Sequence, residues 1–184
     1  MAIIKQQSNY NGIQTFGYAD SEFLNQSMYF ERSFILDSVV VDFSTVFSDP
    51  IEDIRVKCQM RSGFKVNNNL DLNSSIVDES VWYEDGAISV GEFTFTLNSL
   101  TLNSGHYWFT ILTNLKCYTN EFSLKIYRGG EFINKFIKII NGNGIYRTDE
   151  SLKYKINGSW VETIPENRIF EHGIYTTTTL KDTT

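Results

Sequence analysis

Cysteine and histidine are scarce in this chain, two of each among 184 residues. Cys58 and Cys117 stand far apart and no further pair accompanies them, so a scaffold stapled by several disulfides is excluded. A single bridge between them is one arrangement. Two unconnected buried thiols are the expected one for a chain made in a reducing cytosol. His106 and His172 are also far apart, and neither has a cysteine or carboxylate beside it at zinc-ligand spacing. No metal and no cofactor is therefore expected. His106, directly after Gly105, reads as an ordinary exposed or hydrogen-bonded histidine. No run of 18 apolar residues occurs, so no membrane insertion is expected. The opening MAIIKQQSNYNG lacks the apolar stretch and small-residue cleavage site of a signal peptide. An excess of base is missing too. The net charge is −6, and Lys and Arg are spread singly, as in IRVKCQMRSGFK, which argues against nucleic acid as a partner.

What the chain does have is aromatic and alternating. Its length suits one domain, and its 15% aromatic content favours β-structure. In IRVKCQM, Ile54, Val56, Cys58 and Met60 fall on one face and Arg55, Lys57 and Gln59 on the other, the pattern of a half-buried strand. FTFTL (Phe93, Phe95, Leu97), FSLKIY (Phe122, Leu124, Ile126) and LKYKI (Leu152, Tyr154, Ile156) repeat it. ILDSVVVDF reads as a more buried strand with Val39, Val41 and Phe43 inward. Further strands are expected around 28–34, 144–147 and 168–175. EFINKFIKII (131–140) suits a strand or a helix face, with its β-branched residues favouring strand. Turn signals such as YRGGE, EDGA, INGNG and KINGSW separate the strands. The expected fold is an all-β, antiparallel, jelly-roll-like sandwich with at most one short helix. The expected organisation is an N-terminal arm over 1–24, a sandwich domain over 25–176 and a polar tail over 177–184. The segment 62–86 is expected to make a long excursion of the kind that carries binding loops.

Residues that could carry chemistry are few. Asn69, Asp71 and Asn73 alternate like half a calcium loop, but the glycine and closing glutamate positions hold Ser74 and Ser80. Ser104 lacks the G-x-S-x-G frame of a nucleophile elbow. Asp78, Glu79, Glu84 and Asp85 could supply a glycosidase pair, although a chain with 22 acids offers many such pairs. Asn25, Asn73 and Asn157 head Asn-x-Ser triplets, expected to be chance matches in an Asn-rich sequence. Trp82 and Tyr83 in the long excursion, and Trp160 after an Asn-Gly pair, are the candidate rings for stacking on a sugar. LTLNSGHYWFTIL (100–112) puts Tyr107, Phe109 and Ile111 on one face and His106, Trp108, Thr110 and Leu112 on the other. Apolar bulk on both faces marks a strand covered on both sides rather than an exposed ring platform.

Taken in order, NQSMYFERSFILDSVVVDF, DPIEDIRVKCQM, FTFTLNSLTLNSGHYWFTIL, GNGIYRT, INGSWVETI and NRIFEHGIY resemble a β-sandwich module of tailed-bacteriophage virion proteins, particularly tail fibres and baseplate proteins, related to carbohydrate-binding-like jelly rolls. The likeness spans roughly residues 25–176. It departs from that pattern where RSGFKVNNN replaces a Gly-Pro turn and where 117–140 holds more strand. The resemblance implies a structural or adsorptive role in a virion, without enzymatic activity. Its implied partners are other virion proteins, as a homo- or hetero-oligomer, and host-surface glycan. A stand-alone carbohydrate-binding module is the alternative, and a glycan-cleaving enzyme a more distant one.

Overall fold

Alternating side chains commit this chain to strands, and two faces of strands bury each other. The structure, a computed structural model, describes residues 2–17, 23–46, 53–62, 75–115, 122–130, 136–140, 143–147 and 149–161. The strands are β1 (Ala2–Gln7), β2 (Gly12–Phe16), β3 (Phe23–Phe30), β4 (Phe34–Thr45), β5 (Arg55–Ser62), β6 (Ile76–Glu79), β7 (Tyr83–Glu84), β8 (Gly91–Leu102), β9 (Gly105–Thr113), β10 (Phe122–Arg128), β11 (Phe136–Ile140), β12 (Asn143–Arg147), β13 (Glu150–Leu152) and β14 (Tyr154–Trp160). Among the described residues the helical content is a single 3-10 turn at Asp85–Ala87.

The strands form two seven-stranded antiparallel sheets packed into an all-β sandwich. Sheet A runs β1-β14-β4-β10-β13, with β8 on β4 and β2 on β10. Sheet B runs β12-β11-β3-β9-β5-β6, with β7 on β5. The expected inward residues of β4, β5, β8, β10 and β14 do line the core. Phe30 stacks on Phe34 with ring centroids 3.8 Å apart, and Phe109 meets Tyr154 edge-on at 5.5 Å. Cys58 is a free thiol in this core, pushed well above its ordinary pKa by burial and then by the charge of Asp78. Cys117 lies outside the described residues.

Several boundaries differ from expectation. Residues 2–16, expected as an arm outside the core, supply β1 to β14 and β2 to β10. Phe16 is fully buried and stacks on Phe122 at 5.6 Å. The Gln and Asn that made this segment look like an arm share it with Ile4 and Phe16, which face the core. The long excursion is partly sheet, because β6 and β7 pair with β5. Its residues 63–74 lie outside the described set, as do the expected strand at 168–175 and the polar tail at 177–184. The ambiguous 131–140 segment contributes β11, hydrogen-bonded between β3 and β12.

The Asn-Gly of KINGSW, a turn signal by sequence, sits inside β14. β4 carries one extra residue, Asp37, where the register of β14 shifts between Asn157 and Gly158. Opposite the same residue β8 loops out, since Leu36 pairs with Leu100 but Ser38 with Thr96. Ser99 takes a left-handed φ of 57° there, and its hydroxyl donates to Asp37 Oδ1 at 2.7 Å. The bulge drives the Ile35 carbonyl under Gly158, where a Cβ has no room.

Two polar clips join the sheets. Gln26, fully buried, accepts hydrogen bonds at its Oε1 from the Leu152 N–H (2.9 Å) and the Ser151 hydroxyl (3.2 Å). Asp78 on β6 accepts from the backbone N–H (3.1 Å) and side-chain amide (2.6 Å) of Asn98 on β8. On the outer side of sheet A, buried Asp42 binds Lys125 at 3.1 Å and Lys153 at 2.5 Å.

Two outcomes follow from these contacts. Gly158→Ala should destabilise the protein by about 1–3 kcal/mol, the usual cost of overpacking. Gly86→Ala, where the added methyl meets nothing within 4 Å, should stay within about 0.5 kcal/mol of wild type; urea denaturation reads both. For Asp42, burial raises the carboxyl pKa, but hydrogen bonds and charge from Lys153 and Lys125 outweigh it and hold the group below its ordinary value. A folded pKa below the unfolded one stabilises above the unfolded value, about 3.9, and that contribution fades as pH falls through the folded value. Asp42→Asn should therefore be destabilising at neutral pH, and its gap from wild type should close as the melts are taken below pH 4.

Candidate functional site

The outer face of sheet B brings together residues that strand parity alone leaves scattered. Antiparallel register aligns Asn25 of β3, Thr110 of β9 and Gln59 of β5 in one row. The next row is Ser27, Trp108 and Arg61. Cross-strand neighbours at this spacing interact directly. Although they face away from the core, Asn25, Ser27, Trp108 and Thr110 are all buried. A cavity of about 210 Å³ opens over this face, and its described lining is Phe23, Asn25, Gln59, Arg61, Trp108, Thr110 and Leu112. Its floor is the buried trio Asn25, Trp108 and Thr110, and half-buried Phe23, Gln59, Arg61 and Leu112 form its walls.

Hydrogen bonds set the polar groups. The Thr110 hydroxyl donates to Asn25 Oδ1 at 2.7 Å. Glu79 Oε1 accepts from Lys57 Nζ at 2.8 Å and from the Gln59 amide at 3.1 Å. That bond turns the Gln59 carbonyl towards Arg61, whose Nη2 donates to it at 3.1 Å. The Lys57 hydrogen bond is the main reason the Glu79 carboxyl lies below its ordinary pKa. The Arg61 guanidinium lies over the Trp108 ring, 5.6 Å from its centroid. Burial pulls Arg61 down from its ordinary pKa, and Glu79 opposes that pull. The Trp108 indole N–H is buried and has no hydrogen-bond acceptor among the described residues. A buried donor left unpaired costs about 1–3 kcal/mol, and such groups are rare enough to call for a reason.

The rings singled out in the sequence lie elsewhere and apart. Tyr83 pairs with Val56 near the Thr113 end of β9, and Trp82 precedes it. Trp160 pairs with Phe34, beside Phe30 at the Gly105 end. The two ends are separated by roughly 26 Å of strand rise, so the fold does not join these rings in one platform. All three are half-buried. Lys57 Nζ sits 4.7 Å from the Trp82 ring centroid. The Tyr83 ring meets Phe93 and Phe95 edge-on at 5.1 and 5.6 Å. Trp160 packs edge-on against Phe30 (6.2 Å) and Phe34 (6.4 Å), with the Arg32 guanidinium 4.8 Å from its ring.

Of the acids, Asp78 closes the sandwich and Glu79 pairs with Lys57, while Glu84 is exposed and Asp85 opens the 3-10 turn. His106 is exposed and its ring lies 4.8 Å from that of Tyr29. Among the described residues no three His, Cys, Asp or Glu side chains gather where a metal ion could sit. His172 and the Asn69–Asn73 run lie outside those residues. The cavity residues escaped the sequence reading because their signal is register, which one sequence does not display. The outward parity of Gln59 and of Trp108 with Thr110 was the only trace. Truncating the two tryptophans separates their packing roles. Trp160→Ala should cost about 2 kcal/mol or more, for loss of contacts to core rings. Trp82→Ala should cost about 1 kcal/mol or less, the range of an exposed cation–π contact. Denaturant midpoints at constant m-value decide the comparison.

The chain, set beside known proteins, matches no protein-family model, no curated protein and no solved structure.

Proposed function

We propose that this chain is a non-enzymatic adsorption module of a bacteriophage virion, holding host-surface glycan on the outer face of sheet B. The observation that carries the binding half is the cavity floored by Asn25, Trp108 and Thr110. Rings and apolar walls with a few fixed amide and hydroxyl groups are the combination that takes sugars, because the rings cover C–H faces and the amides orient hydroxyls. The virion half rests on the order of segments that resembles tail-fibre and baseplate sandwiches. Among the described residues β1 and β12 close one side of each sheet and pair with a single strand. Such edges suit strand addition from a neighbouring subunit. On this reading the sandwich is a rigid support, and neighbouring virion proteins fix its orientation towards the host.

A stand-alone carbohydrate-binding module would use the same cavity, and assembly separates the two. When the gene is expressed in its native genomic setting, the protein should band with purified particles in a density gradient, detected by antibody. Purified protein should also retain host-surface glycan on an array. A monomer that never bands with particles overturns the virion role, and an array without any bound glycan overturns the adsorption role.

A further inference from the structure

The cavity over β3, β9 and β5 selects by charge as well as by shape. Its volume of about 210 Å³ holds one whole sugar ring. Phe23 and Leu112 offer apolar surface to the C–H faces of such a ring. Of the described lining residues, Arg61 alone carries charge, and its guanidinium is held in a set place. It lies over the Trp108 ring, 5.6 Å from the centroid, and its Nη2 donates to Gln59 Oε1 at 3.1 Å. Gln59 is held in turn by Glu79, and Glu79 by Lys57. In this series two cations, Lys57 and Arg61, face one carboxylate, and that carboxylate is in direct contact with Lys57 at 2.8 Å. The three groups leave one positive charge over, in a chain whose net charge is −6. Burial pulls Arg61 below its ordinary pKa, yet a guanidinium stays charged at any physiological pH. An anion brought to this wall therefore returns part of the solvation that the buried guanidinium has lost.

We infer that this cavity takes one hexuronate residue of an acidic glycan, its carboxylate paired with the Arg61 guanidinium and its ring against Phe23 and Leu112. This rests on the glycan-adsorption reading and deepens it by naming the sugar class. A guanidinium has five N–H donors in one plane, so it can keep its bond to Gln59 and still meet a planar carboxylate. A neutral hexose fills the same space but leaves the charge unused. An amino sugar sets a second cation against Arg61, which is unfavourable at close range. Because Arg61 is anchored on Trp108 and Gln59 before any ligand arrives, little side-chain freedom is left to lose on binding.

The test is a titration of the ¹⁵N-labelled full chain with glucuronate, galacturonate, glucose, glucosamine and acetate, following the backbone amide resonances. At least one of the two uronates should bind about tenfold or more tightly than glucose, glucosamine and acetate. Its shifts should centre on Asn25, Arg61 and Thr110 and leave Tyr83 and Trp160 in place. Arg61→Gln removes the charge and should bring uronate affinity down to that of glucose. Arg61→Lys keeps the charge without the planar fork and should fall between the two. Should Arg61→Gln fail to fold, added salt decides on wild type, weakening the uronate and not glucose. Affinity for glucose, glucosamine or acetate equal to that for the uronates overturns the inference. So do a uronate preference that survives Arg61→Gln or ignores salt, shifts centred elsewhere, and the absence of binding by both uronates. The adsorption reading is judged separately, since wild type can fail both uronates and still retain a neutral glycan on the array.

Discussion

Sheet A depends on β4 keeping one face inward past an extra residue. β4 is 12 residues long and pairs with β14 on one side and β8 on the other. Before Asp37 its core residues are Phe34 and Leu36, and after Ser38 they are Val39, Val41 and Phe43. Without the bulge the second set would face solvent, because a one-residue slip turns every later side chain over. The neighbours adapt in different ways. β14 holds a glycine where the displaced carbonyl passes, and β8 bends outward through Ser99 in a left-handed conformation. The same bend presents Asn98 to Asp78, so the irregularity of one sheet becomes a tie to the other.

Polar side chains hold the layers in register where apolar packing alone would let them slide. Gln26 reaches from β3 to the backbone of β13, and Asp78 from β6 to β8. Both are buried, so each bond is strengthened by its low-dielectric surroundings. Sheet B, fixed on its inner face in this way, can hold polar residues on its outer face without loss of register. The cavity thus sits on the three best-supported strands of that sheet, with β9 paired on both sides along its length.

Much of this fold was legible in residue alternation. Inward Val56, Cys58, Met60, Phe95 and Ile156 follow from period two, and all are buried. The sandwich class follows from strand number and turn spacing. Three things were not legible, each for a physical reason. β1 and β2 have short apolar faces whose partners lie more than 100 residues away in β10 and β14. The Asn-Gly of β14 has turn chemistry, but the bulge in β4 uses its glycine for clearance instead. The cavity residues come from three strands whose alignment is set by long-range pairing, so neither Asn25 nor Arg61 stood out beside Trp82 and Trp160. The reading of LTLNSGHYWFTIL as a strand buried on both faces agrees with Trp108 and Thr110 being as buried as Phe109 and Ile111. The same strand also floors the candidate site, away from the loop rings.

Asn25 connects this architecture to the route by which the chain can be made. It heads an Asn-Gln-Ser triplet, it is fully buried, and its side-chain oxygen accepts the Thr110 hydroxyl at the cavity floor. Eukaryotic secretory glycosylation acts on such triplets while the chain is still unfolded. An oligosaccharide attached there would break the Thr110 hydrogen bond and fill the cavity that Asn25 floors. A cell that exports this protein through a glycosylating compartment would therefore produce a chain whose cavity is blocked at its floor. Synthesis in a cell without that machinery leaves Asn25 bare and its bond to Thr110 intact.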